Sequence, residues 1–509
     1  MNDMKYSDLE KNRLEKIHRL REKGIEPYPS QAHRTHTSQE AIHAFEAGEK
    51  DYPAKPVRAT LVGRIRSMRP MGKLVFAHIE DGKGRVQLFV RADEIGQEKL
   101  DLLKNEFDLG DFIQASGEMF RTKTGEPSLR VEEFRMLSKA ITPLPAAKDV
   151  EVEGEVVRHA VLSDTETRYR QRYADLAVNP DVREIFLKRA AINRALRKFF
   201  DNRGFIEVET PILQPIYGGA AAKPFITHHN QLKQDLYLRI SFELYLKRLL
   251  VGGFEGVYEI GRDFRNEGVD RTHNPEFTQL EFYWAYADYE QVMELTEEMI
   301  AFTAERVLGT TTINYQGHQI DVSKSWRRME LNDGLAELAG IEIEKHTDSK
   351  SLGKAMRKKG LEVNLETPRG KLIDTLIGEF LEPSLIQPTF LYNYPRDISP
   401  LAKTVPGDTN TVERFEGFIA GFELCNAFTE LNDPLEQEAR FVEMGRAYDA
   451  DSEEYHPMDE DYLRAMRYGM PPNGGFGMGV DRLTMLFTDQ PNIREVILFS
   501  HLRSQEGKT

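Results

Sequence analysis

The chain has 509 residues, which is too many for a single hydrophobic core, so we expect two or three domains. A mean hydropathy of -0.52 and the lack of a long apolar run exclude a membrane span. The first residues lack the apolar core of a signal peptide, and a soluble, cytoplasmic protein is expected. The single cysteine, Cys425, excludes an intramolecular disulfide and a CxxC metal site. A net charge of -15 argues against indiscriminate nucleic-acid binding but leaves room for a locally basic domain.

The N-terminal part of the chain predicts a helix followed by a small β-barrel. Residues 7–24 have a helical pattern that Gly24 would end, and we assign 1–55 to this helix and its extension. Residues 56–145 alternate with a period of two and contain turn signals at Asp81–Gly82 and Thr124–Gly125. Several short strands in so short a segment are typical of a small barrel.

The first half of this predicted barrel is basic and contains two aromatic residues, Phe76 and Phe89, among its arginines and lysines. Stacking rings and cationic groups on a small barrel are typical of single-stranded RNA binding. A buried core is the alternative role for the rings, and periodicity does not choose between the two.

The rest of the chain predicts a linker and one large domain. Residues 146–168 follow a proline-rich stretch, are rich in acidic groups and form the predicted linker. Residues 169–509 mix helical and strand patterns, with helices expected at 181–203 and 288–308. We expect an α-rich insertion around 320–400, in which no chemistry can be identified.

Two short motifs in this domain indicate a nucleotide site. The string GFGMGVDR places glycine at 475, 477 and 479, where a backbone can approach a ligand closely, and ends at Arg482. The string FRNE supplies Arg265 and Glu267 far upstream. Arginine offers a fixed fork of donors to phosphate and stacks on purines. Each motif alone is more often a flexible turn or a solvated charge, but the ordered pair favours an ATP site.

At this point the residues resemble a known family. The strings YRQRYADL, GFIEVETPIL, LRISFELYLKRLLVGG, FRNEGVDRTHNPEFTQLEFYWAYADY, FELCNAFTELNDP and GFGMGVDR are together similar to class II lysyl-tRNA synthetases. The resemblance covers nearly the whole chain. It implies an α+β protein with an N-terminal OB-fold β-barrel that reads the anticodon. A catalytic domain with a six-stranded antiparallel sheet flanked by helices would follow.

The resemblance also implies the reaction and the partners. L-lysine would be activated with ATP and Mg²⁺ to lysyl-adenylate and pyrophosphate, and the lysyl group would move to the 3′ end of tRNA(Lys). The enzyme would be a homodimer with GFIEVETP at its interface.

The resemblance assigns roles to individual residues of this chain. The implied catalytic residues are Arg265 and Arg482. The implied ATP-binding residues are Arg265, Glu267, His273, Asn274, Phe277, Gly479 and Arg482. The implied lysine-binding residues are Gly219, Glu243, Glu281, Tyr283, Asn426, Phe428 and Glu430. The implied metal ligands are Glu416 and Glu423, and the implied anticodon-binding residues are Phe76, Gln87 and Glu133.

Within the lysine site, Glu243 and Glu430 would take the ε-ammonium together with Tyr283. Glu281 and the backbone at Gly219 would take the α-amine. A neutral substrate side chain would leave the two acids buried and unpaired, which would reject it.

Two alternatives share many of these motifs. An aspartyl- or asparaginyl-tRNA synthetase would need a cation for its substrate side chain, and the acids at Glu243 and Glu430 argue against it. A non-catalytic RNA-binding or regulatory paralogue would be expected to lose an ATP-site residue, and this chain keeps them. The motif loop departs from bacterial relatives by having Thr272 where arginine is common, with Arg271 one position earlier, so either residue could meet the γ-phosphate.

Overall fold

The computed structural model describes residues 6–53, 55–145, 148–152, 155–159, 162, 164–447 and 457–503. The chain divides into two compact units, one running to Asp164 with Tyr173–Val178, and one made of Thr165–Arg172 and the residues from Asn179 onward. The helices are α1 (Asp8–Glu22), α2 (Ser38–Gly48), α3 (Ala92–Ile95), α4 (Gln97–Glu106), α5 (Thr165–Arg170), α6 (Arg172–Val178), α7 (Pro180–Asp201), α8 (Glu243–Val251), α9 (Tyr289–Leu308), α10 (Leu331–Leu338), α11 (Ser349–Lys358), α12 (Arg369–Leu376), α13 (Pro434–Ala447), α14 (Glu460–Arg467), α15 (Val480–Thr488) and α16 (Ile493–Val496). The strands are β1 (Arg58–Met71), β2 (Leu74–Glu80), β3 (Arg85–Arg91), β4 (Phe112–Arg121), β5 (Pro127–Ser138), β6 (Lys148–Val152), β7 (Glu155–His159), β8 (Ile206–Glu207), β9 (Leu213–Gln214), β10 (Ile226–His229), β11 (Gln234–Leu238), β12 (Gly256–Phe264), β13 (Glu276–Ala285), β14 (Thr312–Tyr315), β15 (His318–Asp321), β16 (Arg327–Glu330), β17 (Thr389–Pro395), β18 (Thr411–Ile419), β19 (Phe422–Thr429) and β20 (Asn473–Gly479).

The first unit contains a closed five-stranded barrel in the order β1-β2-β3-β5-β4. The side chains of β2 alternate between the inside and the outside of this barrel. Val75, Ala77 and Ile79 are buried inside, while Phe76 and His78 face outward. The predicted OB-fold barrel is confirmed. Helix α1 precedes it, begins at a capping box formed by Ser7, and buries apolar side chains of its inner face.

Part of the predicted linker at 146–168 lies outside the described residues. Within the described part, β6 and β7 form a two-stranded antiparallel ribbon, and α5 begins at Thr165.

The second unit is built on an eight-stranded sheet in the order β16-β17-β18-β19-β20-β13-β12-β8. Its six central strands are antiparallel, and β16 and β8 add one parallel strand at each edge. The expected α+β class is confirmed, while the sheet is wider than the six strands expected. The two edge strands are four and two residues long, too short to show a period of two in the sequence.

Helices α7 and α9 cover one face of this sheet. The predicted helix at 181–203 is observed as α7, and that at 288–308 as α9, which begins at a capping box on Asp288. Side chains of both helices pack with those of the central strands in one large apolar core. On the opposite face, α8 packs against Val257 of β12 and Tyr283 of β13.

The segment predicted as an α-rich insertion at 320–400 is helical only in its middle. Helices α10 to α12 and the turns after them have their own apolar core. Strands β16 and β17, which fall within the same range, belong to the main sheet. No helix in the described part of the chain is long and apolar enough to cross a membrane.

Candidate active site

The face of the large sheet opposite α7 and α9 is hollow beside α8, because its strand β20 carries glycine at alternate positions. A Cβ on Gly475 would lie 1.9 Å from Oε1 of Glu430, and a Cβ on Gly477 would lie 2.8 Å from Nε2 of Gln279. At Gly475 the Cβ would also meet a ring carbon of Tyr283 at 2.5 Å, so only glycine leaves room for both side chains there. At Gly477 a side chain would require the amide end of Gln279 to shift. The motif glycines therefore make space for side chains of other strands as well as for a ligand.

The antiparallel register lines up polar side chains across this face. Glu281 in β13 pairs with Gly477, Gly477 pairs with Asn426 in β19, and Asn426 pairs with Glu416 in β18. Directly opposed residues of adjacent strands point to the same side of a sheet. Residues from distant segments thus form one row above β20.

This face forms the floor of a cavity of about 360 Å³. Every residue that the sequence assigned to the ATP, lysine and metal sites lines it, namely Gly219, Glu243, Arg265, Glu267, His273, Asn274, Phe277, Glu281, Tyr283, Glu416, Glu423, Asn426, Phe428, Glu430, Gly479 and Arg482. The lining also includes Ile398–Ala402, at the end of the segment predicted to carry no chemistry. The roles of the individual residues remain predictions.

One end of the cavity is lined by the motif arginine Arg265, which follows directly on β12. Its guanidinium lies 5.1 Å from the ring centroid of Phe277, a cation–π distance. Its Nε atom is buried and has no hydrogen-bond partner among the described residues. In the same loop, the backbone N–H of Lys223 donates to Glu267, and Asn274 donates to the carbonyl of Glu276. A planar cation beside an aromatic ring is suited to phosphate and purine.

The second motif arginine, Arg482 in α15, is held by two elements. Its Nη1 donates to the backbone carbonyl of Glu423 at 2.5 Å and to the carboxylate at 3.1 Å. Its Nη2 lies 3.1 Å from Nε2 of His273. Asp270 accepts from Nδ1 of the same ring at 2.9 Å, which places the proton on Nδ1 and leaves Nε2 to accept from the arginine. The motif loop therefore orients Arg482 toward the cavity.

Two further carboxylates, Glu416 and Glu423, line the cavity. Glu416 accepts from Arg414 at 2.6 Å and from the hydroxyl of Tyr394 at 2.8 Å. Burial raises the pKa of Glu416 to about 7, against the opposing effect of Arg414. Among the described residues no group of three or more His, Cys, Asp or Glu side chains could hold a metal ion. Two carboxylates still fit Mg²⁺, which is usually held by one or two carboxylates together with substrate phosphates.

The other end of the cavity is strongly acidic. Glu281 accepts from the hydroxyl of Ser241 at 2.8 Å, from the amide of Gln279 at 3.0 Å and from the hydroxyl of Tyr283 at 3.3 Å. Burial raises the pKa of Glu281 well above its usual range, with Asp263 adding to the effect. A buried carboxylate held by neutral donors can attract a cationic ligand.

The other two acids at this end, Glu243 and Glu430, differ from the expectation in one respect. From the sequence, these two acids are expected to be unpaired unless a substrate ammonium is bound. In the structure both form ion pairs with the ammonium of Lys247, 2.5 Å from Glu243. Lys247 stands one helical turn after Glu243 on α8, so the spacing offered a signal that was missed.

The cavity is also lined by three polar residues that were not predicted from the sequence, Ser241, Gln279 and Arg414. Gln279 and Arg414 each stand two positions before a predicted residue on the same strand, Glu281 and Glu416. Because side chains two apart share a face, the strand period could have identified them.

The three residues assigned to the anticodon lie on three strands of the barrel, and no two of them are paired with each other in its register. Phe76 is half-buried, Gln87 is buried and Glu133 is exposed. The ring of Phe76 in β2 lies 5.1 Å from that of Phe89 in β3, the strand that also carries Gln87. Gln87 donates to Glu126 at 2.6 Å and accepts from Ser128 at 2.9 Å. Glu133 is exposed and lies farther along β5, opposite Ser116.

Comparison with known proteins agrees with this geometry. The family model for class II tRNA synthetases (D, K and N) matches residues 164–503, and the model for the OB-fold nucleic acid binding domain matches residues 59–137. The chain is 52% identical over 504 residues to a lysine–tRNA ligase of Roseiflexus castenholzii, covering 99% of this chain and 100% of the relative. It is 52% identical over 506 residues to that of Chloroflexus aurantiacus (99% and 100% covered) and 45% identical over 505 residues to that of Clostridium novyi (98% and 96% covered). The chain belongs to the lysine–tRNA ligase family, within the class II tRNA synthetases.

Proposed function

We propose that this protein is a lysine–tRNA ligase, which uses ATP to activate L-lysine and transfers the lysyl group to the 3′ end of tRNA(Lys). The observation that carries the proposal is one cavity lined both by the guanidinium groups of the motif arginines and by a cluster of buried carboxylates. The arginines suit a nucleotide, and the carboxylates suit an amino acid with a cationic side chain. Relatives about half identical over the whole chain support the same activity.

The activation step needs electrostatic stabilisation and does not need a protein nucleophile. The carboxylate of L-lysine attacks the α-phosphorus of ATP in line, and pyrophosphate leaves. Negative charge develops on the phosphate oxygens, so fixed cations lower the barrier. Arg265 would bridge the attacking carboxylate and the α-phosphate. Arg482 would stack on the adenine opposite Phe277, with Glu267, His273 and Asn274 completing the nucleotide site around Gly479.

Mg²⁺ is the proposed metal, with Glu416 and Glu423 as its protein ligands. Their oxygen donors fit this hard cation, and the ion would supply further charge neutralisation at the phosphates. In the free protein, Arg414 and Arg482 occupy these carboxylates. We therefore expect both arginines to shift their contacts when nucleotide and metal bind.

Selection of L-lysine would depend on the acidic end. We propose that Glu243, Glu430 and Tyr283 receive the ε-ammonium, while Glu281 and the backbone at Gly219 receive the α-amine. Asn426 and Phe428 would line the path between them. A substrate with a neutral side chain leaves buried carboxylates without a compensating charge, which is a strong basis for rejection.

We further propose that the outer face of the barrel reads the anticodon through Phe76, Gln87 and Glu133, by stacking and hydrogen bonding. Gln87 is already bonded to Glu126 and Ser128, so base recognition there requires an exchange of partners.

A cytoplasmic homodimer is the proposed assembly, with the segment GFIEVETP (204–211) at its interface. This segment includes the edge strand β8, and Ile206, Ile212 and Leu213 are between 45% and 49% exposed. An edge strand flanked by exposed apolar side chains is a natural pairing surface. Sedimentation velocity of Ile206→Asp tests this assignment, and a wild-type dimer that the substitution leaves intact would contradict it.

The decisive experiment for the activity is ATP–pyrophosphate exchange measured with each of the standard amino acids. Exchange that depends on L-lysine supports the proposal. Exchange with aspartate or asparagine alone, or tRNA binding with no exchange at all, would replace it with one of the two alternatives.

A further inference from the structure

Behind the acidic end of the cavity lies a lysine residue of the protein itself. The side chain of Lys247 is fully buried, and the residue does not line the cavity. Its ammonium is 2.5 Å from Oε1 of Glu243 and forms a second ion pair with Glu430. The rings of Phe428, Tyr283 and Tyr462 surround it with centroids 5.5 Å, 5.8 Å and 6.0 Å away. The protein thus binds an ammonium group of its own directly behind the site proposed for the substrate's ammonium.

The ammonium of Lys247 is charged despite its burial. Burial alone would lower the pKa of Lys247, but Glu243 and Glu430 outweigh it, so the pKa lies above its ordinary value. Neither oxygen of Glu430 accepts a hydrogen bond of good geometry from the described residues, so its ion pair with Lys247 is the interaction that holds it. Removal of Lys247 would leave two buried carboxylates facing each other.

Charge balance gives this arrangement a functional meaning. Burial raises the pKa of Glu243, Glu281 and Glu430, so all three are ionised together only when cations offset their charge. They then carry three negative charges, of which Lys247 cancels one. The two remaining charges equal the two ammonium groups of L-lysine. The neighbouring cation Arg414 is matched by Glu416, and Arg239 is matched by Glu259. Asp263 is a second acid beside Arg239, and burial raises its pKa to about 7, so it keeps much of its proton near neutral pH and adds less than one full negative charge.

We propose that Lys247 is a positioning and specificity residue of the amino-acid site. It holds Glu243 and Glu430 from behind and sets the net charge of the pocket to match an amino acid with two ammonium groups. This inference rests on the proposed function, since it assumes that L-lysine is the substrate.

A set of three variants tests the inference by ATP–pyrophosphate exchange. Lys247→Met gives the pocket one negative charge too many, and Glu243→Gln gives it one too few. The double variant Lys247→Met/Glu243→Gln restores the charge. We expect each single variant to raise the KM for L-lysine by at least about tenfold while the KM for ATP stays within about twofold. The double variant should use L-lysine better than either single variant and should keep its preference for L-lysine over norleucine, a neutral amino acid of similar shape.

The matched control is Lys139→Met in the barrel. Lys139 is equally buried and pairs with Asp108 and Asp111, the latter at 2.8 Å, so its loss removes a similar ion pair from the first unit, while the candidate active site belongs to the second. It should lower the melting temperature and leave the KM for L-lysine unchanged. If Lys247→Met does not fold, the comparison of Glu243→Gln with the double variant still decides the matter.

A merely structural role would give a different result. It predicts lower melting temperatures with an unchanged KM for L-lysine, or parallel changes in the KM for L-lysine and for ATP, and either result overturns the inference. A double variant no better than the worse single variant overturns it as well. Failure of the proposed function is seen separately, because the wild-type protein would then show no exchange with L-lysine.

Discussion

The carboxylate of Glu430 occupies the space that a side chain at Gly475 would need, and glycine at this position leaves that space open. A Cβ on Gly475 would lie 1.9 Å from Oε1 of Glu430 and 2.5 Å from a ring carbon of Tyr283. The first glycine of the motif is therefore coupled to the acidic end of the cavity, although the motif as a whole was interpreted as a nucleotide-binding element.

Substitution of Gly475 by alanine should weaken the use of L-lysine more than that of ATP. The added methyl group must displace Glu430 or Tyr283, and overpacking of this kind costs about 1–3 kcal/mol. We expect the KM for L-lysine in pyrophosphate exchange to rise about tenfold with little change in the KM for ATP. Gly378→Ala is the control, because nothing lies within 4 Å of a Cβ there. Equal changes in both constants would contradict the coupling.

Substitution of Arg265 by alanine should abolish most of the activity without unfolding the protein. Loss of one fixed donor to a developing charge reduces kcat by about 10²–10³-fold. Arg262→Ala, on the strand that directly precedes Arg265 and with its side chain paired to Glu276, is the matched control and should retain exchange activity. Single-turnover formation of the adenylate measures the effect directly. An Arg265 variant with a normal rate would remove this residue from the mechanism.

Substitution of Phe76 by alanine should separate the two half-reactions. The ring lies on the barrel, and each base that stacks on an aromatic side chain contributes about 1–3 kcal/mol. Charging of tRNA(Lys) should fall by about tenfold or more while pyrophosphate exchange is retained. Met71→Ala removes another apolar side chain of the same barrel, one that is 61% exposed, and should affect neither reaction. Parallel loss of both reactions in the Phe76 variant would count against a role in anticodon binding.

The stability of the second unit should depend on pH through Asp263. Burial raises the pKa of Asp263 from 3.8 to about 7, with Arg239 opposing the shift. Between these two values the folded protein keeps a proton that the unfolded chain has released. The unfolded state then binds fewer protons, so stability falls as the pH rises through this range.

Asp263→Asn removes this contribution and should be more stable than the wild type above about pH 7, with the difference vanishing near pH 4. Both oxygens of Asp263 lack hydrogen-bond partners among the described residues, so the amide breaks no such bond. Denaturant midpoints can be followed by tryptophan fluorescence, because Trp284 and Trp326 both lie in the second unit. The same pH dependence in both proteins would refute the assignment.

Periodicity and local chemistry predicted the elements that are long or capped. The alternating pattern in the segments of β2 and β3 predicted the barrel, and the helical pattern from Asp288 onward predicted the start of α9. The edge strands β8 and β16 were missed because a period needs more residues than they contain. The predicted insertion extends too far toward the C-terminus and includes β17. The sequence of β17 is mostly apolar, and such a short run is compatible with a helix as well as with a strand.

The sequence by itself determined which residue types are available for the chemistry and in which order they occur. Arginine and glycine at motif spacing indicated a nucleotide, because charge and the lack of a side chain are properties of single residues. The cationic amino acid was implied by the resemblance to a known family. Only the tertiary structure decided which of these charges meet. Lys247 and Glu243 are one helical turn apart in the sequence. Glu430, which directly follows β19, comes much later in the chain and meets them only in the folded protein. Burial removes the water that would otherwise separate these charges. The balance of the acidic pocket is therefore a property of the fold.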